Sequence, residues 1–280
     1  MTTLTPLATL YETERGQDIP LPPELARLYG RLDLPLRPDR PYVMGNFVTT
    51  LDGVVSLNEP GQAGGGEISG FNEHDRMVMG LLRAVAGAVV VGAGTLRAVP
   101  RQLWTAEYVY PKLAHAYGAL RRRVGYSEPP LNVIVTGRGE LDLDLPVFRS
   151  ADVPVLIVTT QQGAERLHDH PPTVQVAALA GDGPLSARGI LGAILRVRAM
   201  AAILVEGGPH LMADFFAEQA LDELFLTLAP QVAGRDESSQ RPGLVEGKIL
   251  APENPRWGTL VGVKRADNHL FLRYAFDASG

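Results

Sequence analysis

Two glycine-rich segments, each at the end of an apolar run, carry the residue types in this sequence best suited to chemistry. In Ile203-Leu204-Val205-Glu206-Gly207-Gly208-Pro209-His210-Leu211, the run Ala201–Val205 ends in a carboxylate, and two glycines then turn the chain. Pro209 suits a first helical turn, where its missing N–H costs nothing. A strand, a glycine turn and a helix N-terminus together expose free backbone N–H groups and the positive end of a dipole, a setting for phosphate. Glu206 beside such a site would meet the substrate of a phosphate-bearing ligand; a plain turn with a solvated Glu is the alternative. The second segment, Gly92-Ala93-Gly94-Thr95, follows the run Ala88–Val91. It has G-x-G but Arg97 where a third glycine would stand, and no acid at ribose distance, so the dinucleotide fingerprint is not met. Its amides can still approach a pyrophosphate, with the Thr95 hydroxyl as a further donor, or its glycines merely permit a tight turn.

Two more strand ends add candidates. Thr136-Gly137-Arg138 follows Leu131–Val135, and an Arg there suits a ribose 2′-phosphate through its forked guanidinium. Thr50-Leu51-Asp52-Gly53 follows Tyr42–Thr49. Asp-Gly is a common turn pair for conformational reasons. If Asp52 faced Glu206 across a pocket, one of the two would have a raised pKa and be poised to donate a proton. No metal site is expected, since His168 and His170 form an H-x-H pair in a Pro-flanked loop with no third histidine nearby in sequence. A G-x-S-x-G nucleophile segment is missing, and Ser69-Gly70 does not fit a nucleophile elbow.

These loops need strands to carry them. Apolar runs at Leu131–Val135, Val153–Thr159, Val174–Ala177 and Ala201–Val205 alternate with helical patterns at Gln161–His168, Leu185–Arg198 and Pro209–Ala220. Continuous Val/Ile/Leu strands in a β–α–β rhythm imply an α/β fold with a mostly parallel central sheet covered on both faces. Asn72 is a good N-cap for a helix whose positions Met77, Val78, Leu81, Leu82 and Val85 keep helical period. A further helix is expected near Lys112–Val124, and 97–125 is otherwise unpatterned. Residues 58–70 read as a glycine loop, and 231–256 as a long surface loop. Strand Glu223–Leu228 and a C-terminal antiparallel hairpin, Thr259–Val263 with Leu270–Phe276, complete the domain. Residues 1–40, rich in proline and with one short helix at Pro22–Tyr29, form an arm laid on a main domain of residues 41–280.

The 280 residues are ample for a full core, and 45% hydrophobic with 20% charged residues is an ordinary globular composition. A formal charge of −5 argues against a general nucleic-acid binder, and the basic run Arg121-Arg122-Arg123 reads as a solvated helix face. Cysteine is absent, which rules out disulfides, thiolate nucleophiles and cysteine metal sites. Without a signal-peptide pattern or a long apolar run, a soluble cytoplasmic protein with no membrane partner is expected.

Taken in order, Asn46-Phe47-Val48-Thr49-Thr50-Leu51-Asp52-Gly53, Ile68-Ser69-Gly70 leading to Arg76 and Leu82-Arg83-Ala84, Val91-Gly92-Ala93-Gly94-Thr95, and Leu204-Val205-Glu206-Gly207-Gly208 make a specific set. Asp222-Glu223 before a strand ending in Ala229-Pro230, then Gly234, extends it. The chain resembles the reductase domain of the riboflavin-biosynthesis pyrimidine deaminase-reductase family over residues 40–276. That resemblance implies a three-layer dihydrofolate-reductase-like fold, NADPH as hydride donor, and a ribosylamino-pyrimidine opened to its ribitylamino form. By position it puts Thr50, Asp52, Gly92, Ala93, Gly94, Thr95, Thr136, Gly137, Arg138, Gly207, Gly208, Pro209, His210 and Leu211 on the cofactor. It puts Asn46, Ser69, Arg76 and Glu206 on the heterocyclic substrate, with Glu206 or Asp52 assisting protonation as a catalytic acid. A homodimer is implied too. The chain departs from the family at Leu96-Arg97-Ala98-Val99-Pro100-Arg101, where an acidic pair is usual, and at Glu67, where Trp is common. Residues 1–40 are too short for the deaminase half, whose zinc signature needs cysteine. A dihydrofolate or pterin reductase on the same fold, and a catalytically silent nucleotide-binding protein, are the alternative functions.

Overall fold

A computed structural model describes residues 4–181, 185–237 and 239–276; the first three residues of the expected arm and the last four of the expected main domain lie outside them. The chain opens with strand β1 (Ala8–Glu12), then β2 (Gln17–Asp18), helix α1 (Pro23–Tyr29) and β3 (Asp33–Leu34), with β2 and β3 forming a small sheet of their own. Strand β4 (Tyr42–Thr49) is followed by helices α2 (Gly65–Ser69) and α3 (Glu73–Val85), strand β5 (Ala88–Gly92), and helices α4 (Ala93–Ala98), α5 (Ala106–Val109) and α6 (Ala114–Arg123). Strand β6 (Leu131–Thr136) and helix α7 (Pro146–Arg149) lead to β7 (Val155–Thr160), α8 (Gln161–Glu165), β8 (Val174–Leu179) and α9 (Ala187–Val197). Strand β9 (Ala202–Val205), helix α10 (Pro209–Ala217) and strands β10 (Glu223–Leu228), β11 (Thr259–Ala266) and β12 (His269–Ala275) finish it.

One ten-stranded sheet runs β1-β11-β12-β10-β4-β9-β5-β6-β7-β8. From β10 to β8 every pairing is parallel, and the β11–β12 hairpin pairs antiparallel with β10, as the apolar runs imply. Strands β4, β9, β5, β6 and β7 alternate between two cores. Met44, Val89, Leu204, Ile134 and Ile157 join α1, α3 and α6 on one face, while Val43, Val90, Ile203, Val133 and Leu156 join α9 and α10 on the other. None of the described helices is long and apolar enough to cross a membrane.

Three local expectations need correction. The glycine-rich 58–70 stretch is not all loop: Gly65–Ser69 winds into α2, closed by Gly70 in the left-handed region at φ 62°. The 97–125 stretch holds, besides the expected helix that α6 fulfils, the further helix α5 and a 3₁₀ turn at Pro111–Leu113. The basic run at the end of α6 is a solvated face only at Arg122 and Arg123. Arg121 is buried and donates to the carbonyls of Arg83, Ala84 and Ala86, which α3 leaves open at its C-terminus, and to that of Glu128. A cation answers both the unpaired carbonyls and the negative end of the dipole there.

The N-terminal segment is woven into the main sheet. β1 pairs antiparallel with β11, and Leu7, Leu25, Leu28 and Leu34 lie in the same core as α3. A buried ionic network fixes the junction. Arg273 donates to Glu223 (2.5 Å) and to Asp33 (3.3 Å), and Tyr42 donates to Glu223 (2.7 Å). Burial alone would push the Asp33 carboxyl up, but the N–H groups of Arg15 and Gly16 and the Arg273 guanidinium outweigh it and hold it low.

Candidate functional site

The strand order β4-β9-β5-β6 sets four loops side by side at the carboxyl edge of four parallel strands. In that order they are Thr50–Gly53, Glu206–Pro209, Gly92–Thr95 and Thr136–Arg138. Three interstrand spacings make this row about 14 Å long, an extended trough rather than a point.

Pleating fixes which side chains enter the site from one face. Val205 faces the α9/α10 core, so Glu206 turns to the α3 side, where Met44 and hence Asn46 also lie. Gly45 pairs with Val205, which brings the next residues together: Asn46 Nδ2 donates to Glu206 Oε1 at 3.3 Å. The other Glu206 oxygen takes Arg83 Nε at 2.9 Å and Nη2 at 2.7 Å. Arg83, on α3 and 1% exposed, is itself held by the Thr105 carbonyl at 3.2 Å. With its amide oxygen turned toward the guanidinium, Gln102 accepts at 2.8 Å from the same Nη2. A buried carboxylate is thus neutralised and aimed, and Oε1 retains acceptor capacity for a ligand N–H or O–H.

Beside this pair stands a second carboxyl. Asp75 is buried at the third position of α3, its backbone N–H capped by Asn72 at 3.0 Å. Burial pushes its carboxyl up, while hydrogen bonds from the Thr227 and Ser69 hydroxyls and the nearby His269 pull it down and Glu206 adds to the rise. Ser69, at the end of α2, also gives its carbonyl to the His269 ring at 3.0 Å, and Asn72 meets the same ring at 3.2 Å. Arg76, one turn before Gly80, keeps its Nε buried with no partner. Of the residues expected on the substrate side, Asn46 and Glu206 touch, Ser69 joins them through Asp75, and Arg76 contributes an unfilled donor.

The trough has room along its glycines. A Cβ built on Gly92, Gly94 or Gly137 would meet nothing within 4 Å, and one on Gly208 would sit 3.5 Å from Thr95 Oγ1. Thr95 and Gly208 thus come close together while Gly92 and Gly94 border open space, and the backbone N–H groups of both segments lie at helix starts. This is a cradle that phosphates and a dinucleotide backbone fit, and side chains there would fill it. At the far end, Thr136 Oγ1 accepts from Gly139 N at 3.2 Å and shapes the turn, leaving the Arg138 side chain 82% exposed.

Asp52 departs from its expected role. Its carboxylate accepts from Thr50 Oγ1 at 2.6 Å, Ala233 N at 3.0 Å and Gly234 N at 2.8 Å. The Thr50 hydroxyl foremost, then the Ala233 and Gly234 amides, hold its pKa down at about 2. The sequence suggested a raised, proton-donating carboxyl shared by Asp52 and Glu206; Asp52 is turned instead toward residues 231–235, and its pKa is lowered. Arg83, Asp75 and Thr227 were not singled out as site residues from sequence. Arg83 did leave a signal, as the lone charge in the apolar stretch Gly80–Val85 of α3; Asp75 passes for an ordinary first-turn acid.

Comparison with known proteins agrees with this geometry. The chain is 25% identical over 198 residues to the riboflavin biosynthesis protein RibD of Aquifex aeolicus, covering 70% of this chain and 48% of that protein. It thus spans about half the length of that relative. It is 27% identical over 201 residues to an Archaeoglobus fulgidus protein named 2,5-diamino-6-ribosylamino-4(3H)-pyrimidinone 5′-phosphate reductase, covering 70% of this chain and 84% of that one. The fold is similar to that of a pyrimidine reductase-like protein from Corynebacterium diphtheriae, with a TM-score of 0.66, 22% identity, and 85% and 93% of the two chains covered. That likeness bears out the expected dihydrofolate-reductase-like architecture. The family model described as the RibD C-terminal domain matches residues 41–254, which include all four trough loops, and the chain belongs to that family.

Proposed function

We propose that the protein is an NADPH-dependent reductase acting on a ribosylamino-pyrimidine phosphate of riboflavin biosynthesis. The observation that carries this is the Arg83–Glu206–Asn46 constellation beside a glycine-lined trough of dinucleotide dimensions. The relative named as a ribosylamino-pyrimidinone phosphate reductase supports the substrate class. When bound, the nicotinamide cofactor supplies the hydride.

The chain's own residues bind, orient and exclude water. The Gly92–Thr95 and Gly207–Leu211 segments would hold the pyrophosphate, Thr50 the nicotinamide end, and the exposed Arg138 a ribose 2′-phosphate. Glu206 Oε1 and Asn46 would fix the heterocycle's amino and carbonyl groups, and the unpaired Arg76 Nε is a donor for an anionic or carbonyl oxygen. Asp52, held at about 2, is no proton donor near neutral pH.

The test is NADPH oxidation with the ribosylamino-pyrimidine phosphate and, in parallel, with dihydrofolate. Turnover of the pyrimidine alone is expected. Glu206→Gln should lower that turnover by about 10²-fold, in the range of general acid–base and orienting groups, with NADPH affinity near wild type. Turnover of dihydrofolate but not the pyrimidine would move the protein to the pterin reductases. A homodimer through the open edge strand β1, where Leu10 is 55% and Tyr11 46% exposed, belongs to the same proposal. Light scattering at the monomer mass would remove it.

A further inference from the structure

Residues 231–237 and 239–248 belong to none of the four trough loops, yet they are tied to two of them. At one end, Leu51 N donates to the Gln231 carbonyl at 2.8 Å, the Asp52 carboxylate accepts the Ala233 and Gly234 amides, and Arg235 Nη2 returns a bond to the Asp52 carbonyl at 2.7 Å. At the other end, Val55 N donates to the Pro242 carbonyl at 3.0 Å and Glu246 N to the Pro209 carbonyl at 3.3 Å. Lys248 pairs with Asp214 of α10 at 2.7 Å, and a Cβ on Gly247 would come within 3.0 Å of the His210 ring. Leu244 and Val245 lean on the core beneath α10. Gly234 and Gly247 adopt the left-handed region at φ 69° and 77°, so both attachment points bend where only glycine bends freely.

We propose that the stretches Gln231–Arg235 and Pro242–Lys248 form the outer wall of the nicotinamide end of the trough, and that Asp52 is the positioning residue that holds this wall in place. This rests on the reading of the trough as a dinucleotide site. The wall joins the Thr50–Gly53 turn to the first turn of α10, the two segments that flank the end of the trough nearest Glu206. Asp52 spends both carboxylate oxygens on it and acts on the cofactor through it. A ligand that needs the wall in place binds with an affinity reduced by the fraction of time the wall is out of place.

Charge makes the test decisive. Asp52→Asn and Asp214→Asn each remove a negative charge near an anionic dinucleotide, so a purely electrostatic effect would tighten NADPH binding. Loosening the wall does the opposite. The Kd for NADPH, from the quenching of protein fluorescence, is expected to rise roughly tenfold in Asp52→Asn and about threefold in Asp214→Asn, whose ion pair is half exposed. Hydrogen exchange at the Ala233 and Gly234 amides of the unliganded Asp52→Asn protein should quicken while its melting temperature stays near that of wild type. Weaker binding in Asp52→Asn alone would mean that Asp52 touches the cofactor directly and would overturn the wall. Unchanged or tighter binding in both variants would overturn it as well. Failure of the wild-type protein to bind any nicotinamide dinucleotide would strike the underlying reading instead, and the proposal with it.

Discussion

Arg83 donates two hydrogen bonds to a single oxygen of Glu206, at 2.9 and 2.7 Å, across 123 residues of sequence. Both side chains are almost fully buried, at 1% and 7% exposed. Removing one partner of such a pair leaves an uncompensated buried charge and costs about 3–5 kcal/mol. Arg83→Met should therefore lower the free energy of unfolding by that amount and reduce turnover more than tenfold, because Glu206 loses its aim. Arg83→Lys keeps the charge but not the fork, and should recover stability better than turnover. Equal recovery of both would reduce Arg83 to a purely structural role.

Gly92 and Gly94 test the trough from the opposite direction. The Gly92 backbone is extended at φ −86° and ψ 157°, which any residue adopts, and a Cβ there meets nothing within 4 Å. Gly92→Val should fold with a stability change within about 0.5 kcal/mol, as at ordinary surface positions. Its γ-methyls would stand where the proposed site holds a pyrophosphate, so NADPH affinity should fall at least roughly tenfold. A stable Gly92→Val protein with wild-type affinity would move the cofactor off this segment.

How much of this was legible in the sequence follows from the range of the forces involved. β4 at Tyr42–Thr49 and β10 at Glu223–Leu228 fall within the limits of their apolar runs, because burial on both faces writes itself into consecutive residues. Asn72 was readable as a cap because capping acts within one turn. β1 was not readable: all but its last residue are exposed, so no alternation marks it, and only β11, some 250 residues on, makes it a strand. The same limit hid the partners of Asp52 and Glu206. Each carboxylate could be seen at a strand end, but whether it met the other, an arginine or a backbone amide depended on chain segments 123 to 182 residues away. Arg121 shows the converse case, a cation in a basic run that looks solvated until the open carbonyls of α3 are brought to it.

Asp75 gives a prediction in pH. Its carboxyl is raised above the usual 3.8, by burial first, with Glu206 adding to the rise and the Thr227 and Ser69 hydroxyls and His269 opposing it. The unfolded chain ionises freely above that value, whereas the folded protein resists. Stability that Asp75 confers at low pH is therefore lost as the pH rises from about 3.8 through the raised value, and stays lost beyond it. Asp75→Asn carries no such penalty and keeps an amide that can bond both hydroxyls. Its melting temperature should match or exceed that of wild type at pH 7.5, and the advantage should shrink or reverse at pH 4. A difference independent of pH between those two conditions would show that Asp75 does not titrate in this window.

Arg273 ties the N-terminal segment to the sheet that carries the site. It sits 3% exposed between Glu223 and Asp33, and Asp33 in turn receives the Arg15 and Gly16 amides at 2.6 and 3.2 Å. Arg273→Met preserves most of the apolar stem but strands two buried carboxylates, Glu223 and Asp33. The expected loss is about 3–5 kcal/mol, because one partner of a buried network is gone while the others remain charged. Glu223→Gln in the same background removes one of those stranded charges and should restore part of the loss, an interaction between neighbours that a double-mutant cycle reads directly. β10 carries Glu223 at one end and Thr227, the partner of Asp75, four residues later, so the damage should also reach the substrate side. Accelerated hydrogen exchange in Arg273→Met should appear first at residues 13–18 and at β10, and an effect confined to the N-terminal segment would uncouple the arm from the site.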